Sequence, residues 1–316
     1  MDKGKTIYDS LRKEPLLDRG VSFTYRDKGR KSEAFLIPKG KPRYDFLLEA
    51  FGISDPFLFK KKYAQAISGS GNAEKDFDAL KSSALCALLC FYRVRKLRIG
   101  EVTYDTSYFE VKNSVLGNPS NMDVVLTGID DEGRSAVLFL ECKFSEYLDN
   151  GIETVSGKYF SGQGRRYFDA VKEAGLGKYC SVDEGKTYHF FTPRAYSQGT
   201  KQVISHLLGL SSFLNREEGY CGELYKGNVL PEGREALYEG HYQRVAFREL
   251  LFDFKTPEFH KTLEEYRGLS NDVRKAFEDL IPEGLSFEEP LTYQELFAMN
   301  GNHEEVDPLV AEFYGL

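Results

Sequence analysis

Apolar residues recur along this chain with two different periods, and the switches between them outline a core. From Asn72 onward, Phe77, Leu80, Ala84, Ala87 or Leu88, and Phe91 are spaced by three and four, the stripe of a helix buried on one face, with Asn72 placed to cap its start. Three strand-like runs follow at 108–115, 122–129 and 136–143. The last two are separated by Asp130-Asp131-Glu132-Gly133, a turn signal that predicts a hairpin. A helix is expected over 163–174, then a strand over 187–192 stopped by Pro193. A second helix is expected over 200–214, with Val203, Leu207, Leu210 and Leu214 on one stripe. The coarse order is α-β-β-β-α-β-α. Residues 242–254 read as a further strand, and the remainder is mainly helical through 259–280. The pattern predicts an α/β fold with a mixed α+β sheet in three parts: a basic N-terminal extension over 1–68, the α/β core over 69–255, and an acidic helical region over 256–316 packed on it.

Composition narrows the class. The 316 residues are 41% hydrophobic and 29% charged, which gives enough apolar surface for a full core and removes disordered and low-complexity readings. No stretch approaches the ~20 apolar residues of a membrane span and the first residues are charged, so the expected setting is cytoplasmic, with no membrane partner. Five scattered cysteines do not suggest a disulfide framework, and Cys86 and Cys90 read as packing on one helix. Ser68-Gly69-Ser70-Gly71-Asn72 lacks the Lys-Ser/Thr ending of a phosphate loop and reads as a turn.

Charge is unevenly spread. Residues 1–100 carry 21 Lys and Arg against 12 Asp and Glu, while the rest carry 21 against 37. The groups Arg26, Lys28, Arg30, Lys31; Lys60, Lys61, Lys62; and Arg93, Arg95, Lys96, Arg98 have the makings of a phosphate-tracking surface, or of a solvated face.

The chemistry concentrates in 121–143. A turn at Asp130–Gly133 makes the numbers of paired residues in the hairpin sum to 263 or 264, which sets Asp123 opposite Leu140 or Glu141. Glu141 and Lys143 then share one face while Leu140 and Cys142 take the other. Val137-Leu138-Phe139-Leu140 is apolar enough to be buried on both sides, so an acid and an amine at its end are costly to place. Two neighbouring carboxylates repel unless a cation neutralises them. Hard oxygen donors with open positions suit Mg2+ or Mn2+, beside which Lys143 could orient an attacking water or stabilise a phosphorane. The plainer reading is an ion pair between hairpin strands.

Asp123 followed by Glu141-Cys142-Lys143 resembles the D-x(n)-E-x-K signature of the PD-(D/E)xK nuclease superfamily, over roughly residues 72–215. The resemblance implies a restriction-endonuclease-like αβββαβ core and a Mg2+-dependent nuclease, endo- or exonucleolytic, acting on nucleic acid, DNA foremost. It implies that Asp123 and Glu141 bind the metal, that Cys142 adds its main-chain carbonyl, and that Lys143 serves the water. Gln202 and His206, at i and i+4 on the helix after the fourth strand, resemble the Gln-x-x-x-Tyr element of exonuclease branches, with His in place of Tyr. Glu74 on the first helix gains the role of a further metal ligand, its alternative being an acid that complements the helix dipole. Met122 stands where the name-giving Pro would precede Asp123. The leader and residues 69–91 resemble bacterial proteins provisionally labelled restriction endonucleases, and pairing of two chains to cut two strands is open. Lys158, Arg165 and Arg166, in the Gly-rich stretch 151–164 and just after it, are candidate substrate-gripping residues. The competing class is an inactive nuclease-fold module that binds nucleic acid or a partner protein.

Overall fold

The structure is a computed structural model. It describes residues 3–27, 32–37, 41–68, 77, 79–115, 118–148, 152–192, 197–216 and 233–316. The N-terminal part holds helices α1 (Lys3–Ser10) and α2 (Glu14–Asp18), the hairpin β1 (Ser22–Asp27) and β2 (Ser32–Ile37), and helices α3 (Arg43–Phe51) and α4 (Pro56–Ala66). Helix α5 (Ser83–Phe91) leads into β3 (Leu97–Ile99), β4 (Val102–Val115), β5 (Asn118–Asp130) and β6 (Ser135–Lys143). Next come β7 (Glu153–Ser156), α6 (Gly162–Glu173), β8 (Lys178–Ser181), β9 (Thr187–Phe191) and α7 (Ser197–Leu214). The chain finishes with α8 (Glu235–Glu239), β10 (Arg244–Leu251), α9 (Pro257–Ala276), β11 (Leu285–Phe287), β12 (Leu291–Thr292), α10 (Tyr293–Ala298) and α11 (Pro308–Tyr314).

The main sheet is mixed and runs β11-β10-β6-β5-β4-β3, with β12 also paired to β10. Strands β3 to β6 form an antiparallel meander, whereas β10 lies parallel to β6, β11 and β12. Every residue of β6 after Ser135 is buried, as its apolar run requires of a strand covered on both sides. On one side Leu138, Leu140 and Cys142 join a core with α5, α10, α11 and the N-terminal helices. On the other Val137 and Phe139 pack with α6, α7 and α9, where the rings of Phe139 and Phe213 meet edge to face at 5.2 Å.

Two expectations are corrected here. Strand 187–192 does not enter the main sheet. As β9 it sits between β7 and β8 in a separate three-stranded sheet, and β10 takes the position beside β6. A short strand carries no mark of which sheet it joins, because the choice depends on non-local pairing. The first helix begins at Ser83, where the Ser82 hydroxyl accepts from the Leu85 amide at 3.2 Å, so Phe77 and Leu80 are buried in turns rather than on a helical stripe. Asn72, Glu74, Lys28, Arg30, Lys31 and Cys221 lie outside the described residues.

Part of the charge asymmetry resolves within the chain. Arg93 pairs with Asp307 at 2.8 Å and donates to the Glu304, Glu305 and Val306 carbonyls, and Arg95 reaches Asp55 at 3.7 Å while its amide meets Glu305 at 2.6 Å. Lys62 is turned inward to the Ser107 carbonyl, and burial lowers its pKa to about 8. The N-terminal and C-terminal regions share one core: Leu16, Leu47, Phe51 and Phe59 cluster with Leu85–Phe91 and Phe313, and the Arg12 amide bonds the Phe313 carbonyl at 3.1 Å. No helix among the described residues is long and apolar enough to cross a membrane.

A register shift in β4 between Tyr104 and Thr106 faces Gly128 on β5, where a Cβ would stand 2.1 Å from the Thr103 carbonyl oxygen. Gly128→Ala should therefore force the two longest strands apart locally. We expect a loss of about 1–3 kcal/mol, measured as a lower urea midpoint with an unchanged slope.

Candidate active site

The β5–β6 ladder ends with Val124 opposite Leu140, a sum of 264, so the next residues outward are Asp123 and Glu141. There the strands part. The Asp123 carboxylate takes the place of a ladder acceptor and receives the Cys142 amide at 2.7 Å. On β4 the matching position is Glu110, held at a φ of 50°, a left-handed conformation that costs a non-glycine residue about 1–2 kcal/mol. This kink reverses the sheet faces. Phe109 and Val124 pack on the α5 side, while Val111 and Met122, one register pair beyond the kink, pack on the α7 side. Asp123 thus sits at a crossing point and lines a small cleft with Ala66, Ala84, Ala87, Phe109 and Glu110.

Glu141 and Lys143 share a face as alternation requires, and the Lys143 ammonium donates to Glu141 Oε1. Helix α7 crosses this strand end with Gln202 and His206 one turn apart. Lys143 Nζ donates to Gln202 Oε1 at 2.5 Å, and His206 Nε2 lies 2.7 Å from Glu141 Oε2. The other ring nitrogen of His206 pairs with the Ser120 hydroxyl at 2.6 Å, which fixes the ring between β5 and β6. Glu141, Lys143 and His206 are only 2–3% exposed, so these contacts are made away from water, whereas Asp123 keeps some exposure.

A second buried acid adjoins them. Glu249 on β10 is in register with Glu141, and it is held by the Tyr266 hydroxyl at 2.7 Å and by the Ser270 hydroxyl, both from α9. Burial pushes the Asp123 carboxyl well up, and Glu141 and Glu110 add to the effect, against Lys143 and the Cys142 amide. Burial acts on Glu141 in the same sense, but Lys143 and His206 outweigh it and hold that carboxyl below its ordinary range. Burial also raises Glu249. Carboxyl groups therefore outnumber the cations that face them.

The structure brings together Asp123, Glu141, Cys142, Lys143, Gln202 and His206. The Cys142 thiol points to the α5 side, where burial raises its pKa. Lys158 stands 5.3 Å over the Tyr159 ring, which Lys201 also approaches at 5.9 Å, and the Tyr159 hydroxyl is 3.4 Å from Ser205, beside His206. Arg165 and Arg166 are exposed on the first half of α6, Arg165 pairing with Asp169 at 3.3 Å, and no contact found among the described residues joins either to Glu141 or Lys143. Sequence reasoning missed Glu110, Ser120 and Glu249. Only Glu249 leaves a signal, an acid beside Arg248 inside the otherwise apolar 245–252 run. Among the described residues no group of three or more His, Cys, Asp or Glu side chains is arranged to hold a metal ion. Comparison with known protein families, characterised proteins and solved structures gives no match.

Proposed function

We propose that the chain is a divalent-metal-dependent nuclease of the PD-(D/E)xK type that hydrolyses phosphodiester bonds, with DNA as its substrate. The observation that carries this reading is the meeting of Asp123, Glu141 and Lys143 where β5 and β6 part, with Gln202 of α7 on the lysine. The elements α5, β4, β5, β6, α7 and β10 fall in αβββαβ succession, with β3, β7, α6, β8, β9 and α8 as additions between them, and that succession supports the reading too.

The donor set fits a hard cation. Asp123 is a carboxylate whose charge is opposed by burial and by two neighbouring acids, and a divalent ion relieves that repulsion. Asp123, Glu141 and the Cys142 carbonyl would hold Mg2+ or Mn2+, each carboxylate oxygen having lone pairs beyond those used by Lys143, His206 and the Cys142 amide. When bound, the ion supplies Lewis-acid polarisation of the phosphate and a more acidic water. The chain's own part is positional. Lys143 would supply a buried ammonium to stabilise the developing charge, Gln202 accepts from it and so limits its orientation, and His206, anchored by Ser120, lies against Glu141.

The test is purified protein on supercoiled, linear and single-stranded DNA and on RNA, with Mg2+, Mn2+ or EDTA. We expect metal-dependent strand breaks that EDTA abolishes. Binding without breaks under every metal would replace the enzyme with the nuclease-fold binding module.

A further inference from the structure

At the opposite end of β6 from this site, the sheet forms a half-open cleft of about 770 Å³, within the range of small-molecule sites. Its shape follows from the register. Arg244, Ala136, Gly128 and Tyr104 stand in one row across β10, β6, β5 and β4, so the two smallest side chains lie between a guanidinium and a phenol and leave a trough. Ala246 and Arg248 alternate with Arg244 on the same face of β10, and Leu291 closes the apolar side.

The polar groups here are unbalanced. Tyr104 is 4% exposed and its hydroxyl, at the cleft, has no hydrogen-bond partner among the described residues. Burial raises its pKa, so at neutral pH it is a donor. Arg248 spends one N–H on Glu288 at 3.2 Å, and its buried Nε has no partner. Arg244 is already paired with Glu101 and Asp130 at 3.1 and 3.2 Å. Two donors thus lack a protein acceptor among the described residues, the Tyr104 hydroxyl and Arg248 Nε, above an apolar floor, while the Glu101 and Glu288 carboxylates that also line the cleft are engaged by Arg244 and Arg248. A buried donor left unpaired is costly, and a ligand that supplies an acceptor removes the cost.

We propose that this cleft binds a small organic anion, a carboxylate or phosphate carried on an apolar or ring-shaped body, with the head taken by Tyr104 and Arg248 and the body lying over Ala136 and Ala246. The site is independent of metal and of nucleic acid, so it stands or falls apart from the nuclease reading.

The experiment is calorimetric titration of the full chain with phenyl phosphate, benzoate and inorganic phosphate, which separates the two heads from each other and from the body. At least one ring-bearing probe should saturate, with inorganic phosphate about tenfold weaker or more. Tyr104→Phe should weaken that probe about fivefold, the value of one hydrogen bond. Ala246→Leu should fill the trough and abolish binding, with circular dichroism reporting its fold. No saturable binding of either ring-bearing probe below about 10 mM overturns the proposal. So does undiminished affinity in Tyr104→Phe, which decides the matter alone if Ala246→Leu does not fold.

Discussion

Lys143→Ala is expected to do two things at once: remove metal-dependent cleavage and destabilise the fold by on the order of 3–5 kcal/mol. The second effect follows from burial. Lys143 and Glu141 are 2% and 3% exposed, and removing the ammonium leaves a carboxylate in a dry site with only His206 against it. An activity loss in that variant alone is therefore ambiguous. Lys143→Met combined with Glu141→Gln removes both charges and should recover most of the stability while remaining inactive, because a neutral pair no longer carries the desolvation cost. Urea denaturation and plasmid nicking on the same preparations separate the effects. An unchanged cleavage rate in Lys143→Ala would take the amine out of the mechanism, and an unchanged denaturation midpoint would show that the pair is solvated.

Asp123→Asn has the opposite sign in stability. Burial, Glu141 and Glu110 all disfavour the charged carboxylate, so the native state holds its proton more tightly than the unfolded chain does. The sign follows from linkage. A raised native pKa gives a contribution fully present below the ordinary carboxyl pKa and lost as pH climbs through the native value. The wild-type chain without metal should lose stability across that window, and Asp123→Asn, whose side-chain carbonyl can still accept the Cys142 amide, should lose less and melt higher at pH 7–8. Its cleavage should fall by about 10³-fold or more, and added Mg2+ should raise the melting temperature of the wild type only. Melting curves from pH 4 to 8 with and without Mg2+ check both halves. A variant that melts lower than wild type at pH 8 without metal would overturn the electrostatic account.

These two residues were legible in the sequence because a tight turn fixes a hairpin register, and alternation then assigns faces. Asp130–Gly133 narrowed the partner of Asp123 to Leu140 or Glu141, and the observed sum of 264 selects Glu141. Helix α7 was equally readable, since Val203, Leu207 and Leu210 repeat with its period and carry Gln202 and His206 to one face. The face reversal at Glu110 was not, because a single left-handed glutamate leaves no compositional trace. Nor was the place of β10: a parallel neighbour is chosen by a long crossover, and both β9 and β10 read as strands. Glu249 stayed hidden as a site neighbour for the same reason. The start of α5 was misplaced because Phe77 and Leu80 keep helical spacing while being buried in turns, where spacing alone cannot tell the two apart.

The bond from Arg12 to Phe313, and the aromatic packing around it, ties the N-terminal elements to α11. Leu16, Phe51 and Phe59 share one core with Phe313, which is far from them in sequence, so that core closes only through long-range contacts and is slower to nucleate than a local one. A loss of packing at Phe313 therefore loosens the N-terminal helices as well as α11.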